Sequence, residues 1–168
     1  MVELQGFAAE AAPEARPALT ANAQTLARHL REEVLPAMRT MLSPPARTSN
    51  ALNLSETPFL TYHAAYQYFL GRFGLAHYGE LTTRPEEVMG AATLRGLLQR
   101  ADTQRVRCLI GEQESTLMQR VASATGAKIR LLNPEQLPKR SEVDALDWIQ
   151  NDYDRLLYQT AKTFAGCL

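Results

Sequence analysis

The stretch that decides the fold is PFLTYHAAYQYFLGRFGLAHYGEL, residues 58–81. It begins with a short apolar run, continues with aromatic residues at Tyr66, Phe69 and Phe73, and ends with a second candidate strand at 75–81. Spacings of three and four residues place side chains on one face of a helix, whereas short apolar runs are typical of buried strands. The stretch therefore predicts a strand, a helix and a second strand.

The same alternation continues to the C-terminus. Further strands are predicted at 106–110 and 128–132, and further helices at 85–101, 114–126 and 142–164. Strands that alternate with helices form parallel sheets with right-handed crossovers. We therefore expect an α/β fold, a four-stranded parallel sheet flanked by helices on both faces and preceded by a long N-terminal helix.

Four regions follow from this pattern. Residues 1–19 are rich in Ala, Pro and Glu and predict a disordered lead-in. Residues 20–42 have apolar side chains at helical spacing and predict one long helix, which Pro36 should kink. A proline-containing loop is expected at 43–57, and the α/β domain at 58–168.

Charge and hydropathy exclude several classes of protein. The 168 residues carry 18 basic and 18 acidic side chains, so there is no electrostatic reason to expect nucleic acid or an anionic membrane as a partner. No apolar run approaches the roughly 20 residues of a membrane-spanning helix, and no signal peptide is visible. The expected setting is the cytosol, or an exported protein whose signal segment is not in this chain.

Polar side chains lie at or just after the end of each predicted strand. His63, Glu80, Glu112 and Asn133 fall at these positions, and the carboxyl ends of parallel strands share one rim, where ligands bind. Such a set is suited to metal binding or to acid/base chemistry, while a single histidine there also serves as a hydrogen-bonding residue. A hydrolase that uses His63 is disfavoured because no nucleophile or phosphate-loop motif accompanies it.

Five segments in order resemble a known family. They are TYHAAYQYF at 61–69, YGELTTRPEE at 78–87, RCLIGE at 107–112, TGAKIRLLNP at 125–134 and the tail AGCL at 165–168. Over residues 20–168 the chain is similar to the C-terminal lobe of the periplasmic zinc- and manganese-binding receptors of ABC transporters. The N-terminal lobe of that family has no counterpart in this sequence.

The resemblance implies a metal-binding protein of periplasmic uptake and not an enzyme. His63 matches a ligand of the family, Glu80 stands where zinc members carry a further histidine, and Asn133 stands where they carry aspartate. His63 and Glu80 are expected to face each other across the rim, with Asn133 and Glu112 nearby. These side chains imply zinc held weakly, with manganese as the alternative. The alternative function is a degenerate member that binds no metal and serves as a protein-interaction domain.

The resemblance also implies partners. An ABC transporter permease is the partner of the family's receptors. Residues 20–42 resemble the helix that joins the two lobes, so an apolar stripe at Leu26, Leu30 and Val34 should be incompletely covered, which favours self-association.

Cys108 and Cys167 are the only cysteines of the chain. Their spacing does not match a zinc finger, and the residues alone leave two possibilities, a pair of buried thiols or a disulfide. The resemblance implies a disulfide between them, because some zinc-binding members carry one at these positions. A disulfide indicates an oxidising compartment such as the periplasm.

Overall fold

The computed structural model of the protein describes residues 15–43, 59–75, 77–82, 90–103, 106–133 and 135–167. The chain divides into two compact units, with the boundary between Ala37 and Met38. The predicted lead-in at 1–19 lies mostly outside the described residues, and so does the predicted loop at 43–57.

The first unit is helical. Helix α1 spans Arg16–His29, four residues earlier than the predicted start at residue 20, with a proline in its first turn. Proline is favoured there because the first-turn N–H groups have no partner within the helix. Leu19 and Leu26 are 41% and 42% exposed, whereas Val34 is fully buried, so the predicted apolar stripe is uncovered only in part.

The predicted disturbance around Pro36 is a short π-helix. Residues Leu30–Val34 are π-helical, and the backbone N–H of Leu35 donates to the carbonyl of Leu30, five residues back. Helix α2 then spans Leu35–Leu42. Pro36 has no N–H to donate, and its ring crowds the carbonyl four residues earlier in a regular α-helix. The wider π-helical turn before Pro36 relieves this crowding.

The second unit contains the α/β fold. Its elements along the chain are β1 (Phe59–Thr61), α3 (Gln67–Phe73), β2 (His77–Glu80), α4 (Ala91–Thr103), β3 (Cys108–Gly111), α5 (Thr116–Thr125), β4 (Lys128–Leu131), a 3-10 turn (Arg140–Glu142) and α6 (Asp152–Ala165). The predicted start of α4 at residue 85 lies outside the described residues.

The four strands form one parallel sheet in the order β2-β1-β3-β4. The central pair is in simple register, with Phe59 opposite Cys108 and Thr61 opposite Ile110. The β1–β2 pair carries a bulge, because Phe59 is opposite His77 but Leu60 is opposite Gly79. The predicted four-stranded parallel sheet is therefore confirmed.

Helices cover both faces of this sheet. On one face, Leu60 and Leu109 of the central strands belong to a buried cluster with α4 and α5, which also contains Leu97, Met118 and Val121. On the other face, the ring of Phe59 packs edge-on against Phe164 of α6, and Phe69 of α3 stacks on Phe164 at 5.1 Å. Alternate strand residues point to opposite faces, so each of the two central strands contributes to both cores.

The predicted disulfide between Cys108 and Cys167 is present, with the two Cα atoms 5.5 Å apart. Both residues are buried, and the bond joins the start of β3 to the chain segment just beyond α6. The guanidinium Nε of Arg130 donates to the carbonyl of Gly166 at 3.0 Å, next to Cys167. The C-terminal end of α6 is thus held to the sheet by one covalent bond and one hydrogen bond.

The last helix begins later than predicted. The sequence pattern places its start near Glu142, but residues 140–142 form a single 3-10 turn and α6 begins at Asp152. The side chain of Asn151 caps α6 by accepting a hydrogen bond from the backbone N–H of Asp154. Asparagine is among the best N-caps because its short side chain reaches the unpaired N–H groups of the first turn.

Candidate metal site

The topology puts one crevice at the carboxyl ends of β1 and β3. After β1 the chain crosses to β2 at one edge of the sheet, and after β3 it crosses to β4 at the other edge. The connections that follow these two neighbouring strands therefore run in opposite directions. In open α/β sheets, ligands bind where successive connections diverge in this way. Two of the four residues expected from sequence, His63 and Glu112, lie within two residues of the ends of these strands.

Backbone hydrogen bonds carry the order of the sheet into these exits. The N–H of Tyr62 donates to the carbonyl of Ile110 at 2.7 Å, so β1 and β3 stay paired one residue beyond Thr61. The chain then turns, and the N–H of Ala65 donates to the carbonyl of His63 at 2.9 Å. His63 and Glu112 are therefore presented side by side.

The two side chains meet. His63 Nε2 lies 3.5 Å from Glu112 Oε1, and the side chains are 15% and 39% exposed. The imidazole is mostly shielded, while the carboxylate remains open to water. The pair thus presents one nitrogen and one oxygen as candidate metal ligands at the carboxyl ends of β1 and β3.

Glu80 lies in a different group. Its Oε2 is 4.0 Å from His77 Nε2, and the same nitrogen is 3.1 Å from Thr61 Oγ1. Residues three apart on a regular strand face opposite sides, but the bulge in β2 brings His77 and Glu80 to one side. Thr61 is opposite Glu80 in the register, so it completes this second polar group.

Asn133 is part of a turn. Its side-chain oxygen accepts a hydrogen bond from the N–H of Glu135 at 2.9 Å. Its backbone carbonyl accepts hydrogen bonds from the N–H of Gln136 at 3.2 Å and from Gln159 Nε2 of α6 at 3.3 Å. These contacts fix the chain after β4. The side-chain oxygen of Asn133 accepts one of them, and its second lone pair can accept one further contact.

Sequence reasoning did not single out Tyr66 for the site. Tyr66 precedes the first residue of α3, and its hydroxyl donates to the carbonyl of Leu132 at 3.4 Å. Burial raises the pKa of Tyr66 to about 12, and the negative charge of Glu112 adds to the rise. The position of this tyrosine, three residues after the candidate histidine, was the signal available in the sequence.

A closed metal cage is not formed by the described part of the chain alone. No group of three or more His, Cys, Asp or Glu side chains within it is arranged to hold an ion. The candidate site that the described residues do form is an open pair, His63 with Glu112.

None of the described helices is long and apolar enough to cross a membrane.

Solved structures share this fold. The structure of the binding protein FpvC of Pseudomonas aeruginosa in complex with Mn²⁺ matches 92% of the chain with a TM-score of 0.67 and 19% identity. A crystal structure of ZnuA matches 96% of the chain with a TM-score of 0.66 and 21% identity. The chain covers 53% and 54% of these two proteins. At such identities the likeness establishes the fold.

Curated relatives are zinc-uptake proteins. The chain is 28% identical over 117 residues to the high-affinity zinc uptake system protein ZnuA of Brucella abortus, and 28% identical over 123 residues to that of Haemophilus influenzae. The alignments cover 68% and 72% of the chain but 33% and 34% of the relatives. The chain therefore spans about a third of the length of the curated relatives that it matches.

The family profile covers nearly the whole chain. The profile described as ZnuA, zinc-uptake complex component A periplasmic, matches residues 5–167. The resemblance of the five sequence segments, the parallel sheet and the relatives agree with this match. The chain belongs to the family of the periplasmic zinc-uptake complex component A.

Proposed function

We propose that this chain takes part in zinc uptake in the periplasm by holding the ion, as cargo, between His63 and Glu112. The observation that carries the proposal is the distance of 3.5 Å between His63 Nε2 and Glu112 Oε1 at the carboxyl ends of β1 and β3. Membership of the family and the zinc-uptake relatives support zinc as the cargo.

The geometry of the pair fits zinc. Zinc binds imidazole nitrogen at about 2.0–2.1 Å and carboxylate oxygen at about 2.0–2.2 Å, with tetrahedral angles. Two ligands on one tetrahedral ion are then about 3.3–3.5 Å apart. The 3.5 Å between His63 and Glu112 matches this separation, so an ion can join them with little movement of either side chain.

Affinity of the chain by itself should be modest. Structural zinc sites have four protein ligands, and catalytic sites have three with one water. The proposed pair supplies two, and water would fill the other positions on the open side. Asn133 at the β4 exit is a neutral oxygen that can add a weak contact, and Glu80 lies with His77 in the second polar group.

Manganese is the alternative cargo. Carboxylate and water ligands suit manganese, whereas imidazole favours zinc, so a set of one imidazole and one carboxylate with water admits both. The FpvC structure contains Mn²⁺ within the same fold. The histidine of the proposed pair and the zinc-uptake relatives favour zinc as the cargo.

The experiment is a zinc titration of the purified domain by calorimetry. His63→Ala should weaken zinc binding by at least about tenfold, which is roughly 1.4 kcal/mol. Glu112→Gln should weaken it as well, because it removes the charge of the second ligand while it keeps the shape. Circular dichroism and urea unfolding should show that both variants keep the fold.

The second polar group supplies matched controls. His77→Ala and Glu80→Gln remove the same two residue types from the adjacent strand, at similar exposures of 21% and 37%. These variants should bind zinc as the unsubstituted protein does. If His77→Ala and Glu80→Gln abolish binding while His63→Ala does not, the site is on β2. If the unsubstituted domain binds no zinc at millimolar metal, the cargo proposal fails and the interaction-domain reading replaces it.

We also propose an ABC transporter permease as the partner, because the chain belongs to the family of the zinc-uptake complex component A.

Self-association is a second property that we propose. Leu19 and Leu26, seven residues apart and therefore on one side of α1, are both exposed and offer an apolar contact. Sedimentation should show a monomer–dimer equilibrium that Leu26→Glu shifts toward the monomer. A strict monomer at millimolar concentration would exclude this contact.

A further inference from the structure

Tyr66 links two exits of the sheet. It precedes α3 just after the turn that carries His63, and its hydroxyl reaches the carbonyl of Leu132, the first residue after β4. In the strand order β2-β1-β3-β4, the exit of β3 lies between these two points. A side chain that joins the β1 exit to the β4 exit therefore spans the place where Glu112 leaves the sheet.

The body of Tyr66 is held by aromatic packing. Its ring lies edge-on to Phe164 of α6, with ring centroids 5.7 Å apart, and Phe164 is fully buried. Phe164 also contacts Phe59 of β1 and Phe69 of α3. The hydroxyl is consequently carried on a ring that the core of this face fixes in place.

The carboxylate of the site acts on Tyr66 through its charge. The charge of Glu112 is one of the two causes that raise the pKa of Tyr66 to about 12, after burial. Tyr66 thus stays a neutral hydrogen-bond donor throughout the pH range in which a histidine binds zinc. Its donor remains available to the Leu132 carbonyl in that range.

We propose that Tyr66 is a positioning residue of the metal site, which fixes the β1 and β4 exits relative to each other and so sets the approach of His63 to Glu112. The inference rests on the proposed function, because His63 and Glu112 are the ligands assigned there. Tyr66 itself contacts the Leu132 backbone and does not need to touch the ion.

The test is Tyr66→Phe, which removes only the hydroxyl and keeps the ring on Phe164. Zinc affinity should fall by about three- to tenfold, the order expected for loss of one neutral hydrogen bond. Tyr153→Phe is the matched control, because it removes a hydroxyl from a half-exposed tyrosine on α6. It should leave zinc affinity unchanged.

Two spectroscopic readouts separate positioning from general stabilisation. With cobalt(II) as the probe at saturating concentration, the visible absorption of Tyr66→Phe should differ from that of the unsubstituted protein, because the coordination geometry changes. In the metal-free protein, the NMR signals of the His63 ring should shift in Tyr66→Phe while those of His77 stay in place.

The metal-free measurement keeps this inference apart from the cargo proposal. If the domain binds no metal but the His63 signals shift selectively, the positioning role stands and the cargo proposal fails. Unchanged His63 signals in Tyr66→Phe would overturn the positioning role, and so would a shift of equal size at His77. A fall in affinity that only follows the loss of stability, with an unchanged cobalt spectrum, would overturn it as well.

Discussion

Removal of the disulfide should cost this protein a large part of its stability. The bond joins Cys108 and Cys167, which are 59 residues apart in the chain. For a loop of this size, the chain-entropy model gives a loss of about 4 kcal/mol, because the unfolded chain regains the freedom that the cross-link removes. Domains of this class are stable by about 5–15 kcal/mol in total.

The assay is urea unfolding of the unsubstituted protein and of the double variant Cys108→Ala/Cys167→Ala. Alanine is preferred over serine because both sites are buried, and a buried hydroxyl would add its own cost. We expect a free energy of unfolding lower by about 4 kcal/mol and a larger denaturant slope, because the unfolded chain exposes more surface without the cross-link.

The single variant Cys167→Ala is the control for side-chain effects. It also lacks the cross-link, so its stability should lie within about 1 kcal/mol of the double variant. The chain has no other cysteine. Thiol titration of the unsubstituted protein, unfolded in urea without a reducing agent, should therefore find no free thiol. Two free thiols, or a stability difference below about 1 kcal/mol, would refute the reasoning.

Three further predictions concern Gly111 of β3, the N-cap of α6 and the buried Tyr66. Gly111→Ala should destabilise the fold by about 1–2 kcal/mol in urea, because a Cβ there would lie 2.8 Å from Sδ of Met118, whose flexible end can move aside; no change would show that the contact relaxes freely. Asn151→Ala should cost at least about 1 kcal/mol and Asn151→Ser less, since both variants lose the hydrogen bond from Asn151 Nδ2 to Asp154 Oδ2 but only the first loses the cap on the Asp154 N–H; equal losses would contradict the capping role. The pKa of Tyr66 is raised from 10 to about 12 by burial, so the stability linked to its neutral form is present below pH 10 and is lost between pH 10 and about 12; Tyr66→Phe should flatten this fall in urea unfolding, and an equal fall in the variant would count against it.

The fold could be predicted because its signals are local. The central strands β1 and β3 are short apolar runs, and each helix from α3 to α5 shows apolar residues at spacings of three and four. The start of α6 was wrong because apolar residues between Val143 and Ile149 keep helical spacing by chance. Asn151 followed by Asp154 is the N-cap signal that marks the true start.

The pairing within the site could not be read from the sequence. Both β2 and β3 are neighbours of β1; His63 was expected to face Glu80 of β2, whereas its contact in the structure is with Glu112 after β3. The choice depends on the bulge in β2, which lays Glu80 against His77 on the face shared with Thr61. A bulge depends on how two distant segments fit together, and a single sequence carries no direct signal for it.

X-ray absorption spectroscopy of the zinc-loaded domain tests the central claim most directly. We expect a zinc ion with one imidazole nitrogen at about 2.0–2.1 Å, the remaining ligands being oxygen from a carboxylate and water. The imidazole contribution should disappear in His63→Ala and persist in His77→Ala. A site with two imidazoles, or one whose imidazole survives His63→Ala, would contradict the assignment of His63 and Glu112 as the metal-binding pair.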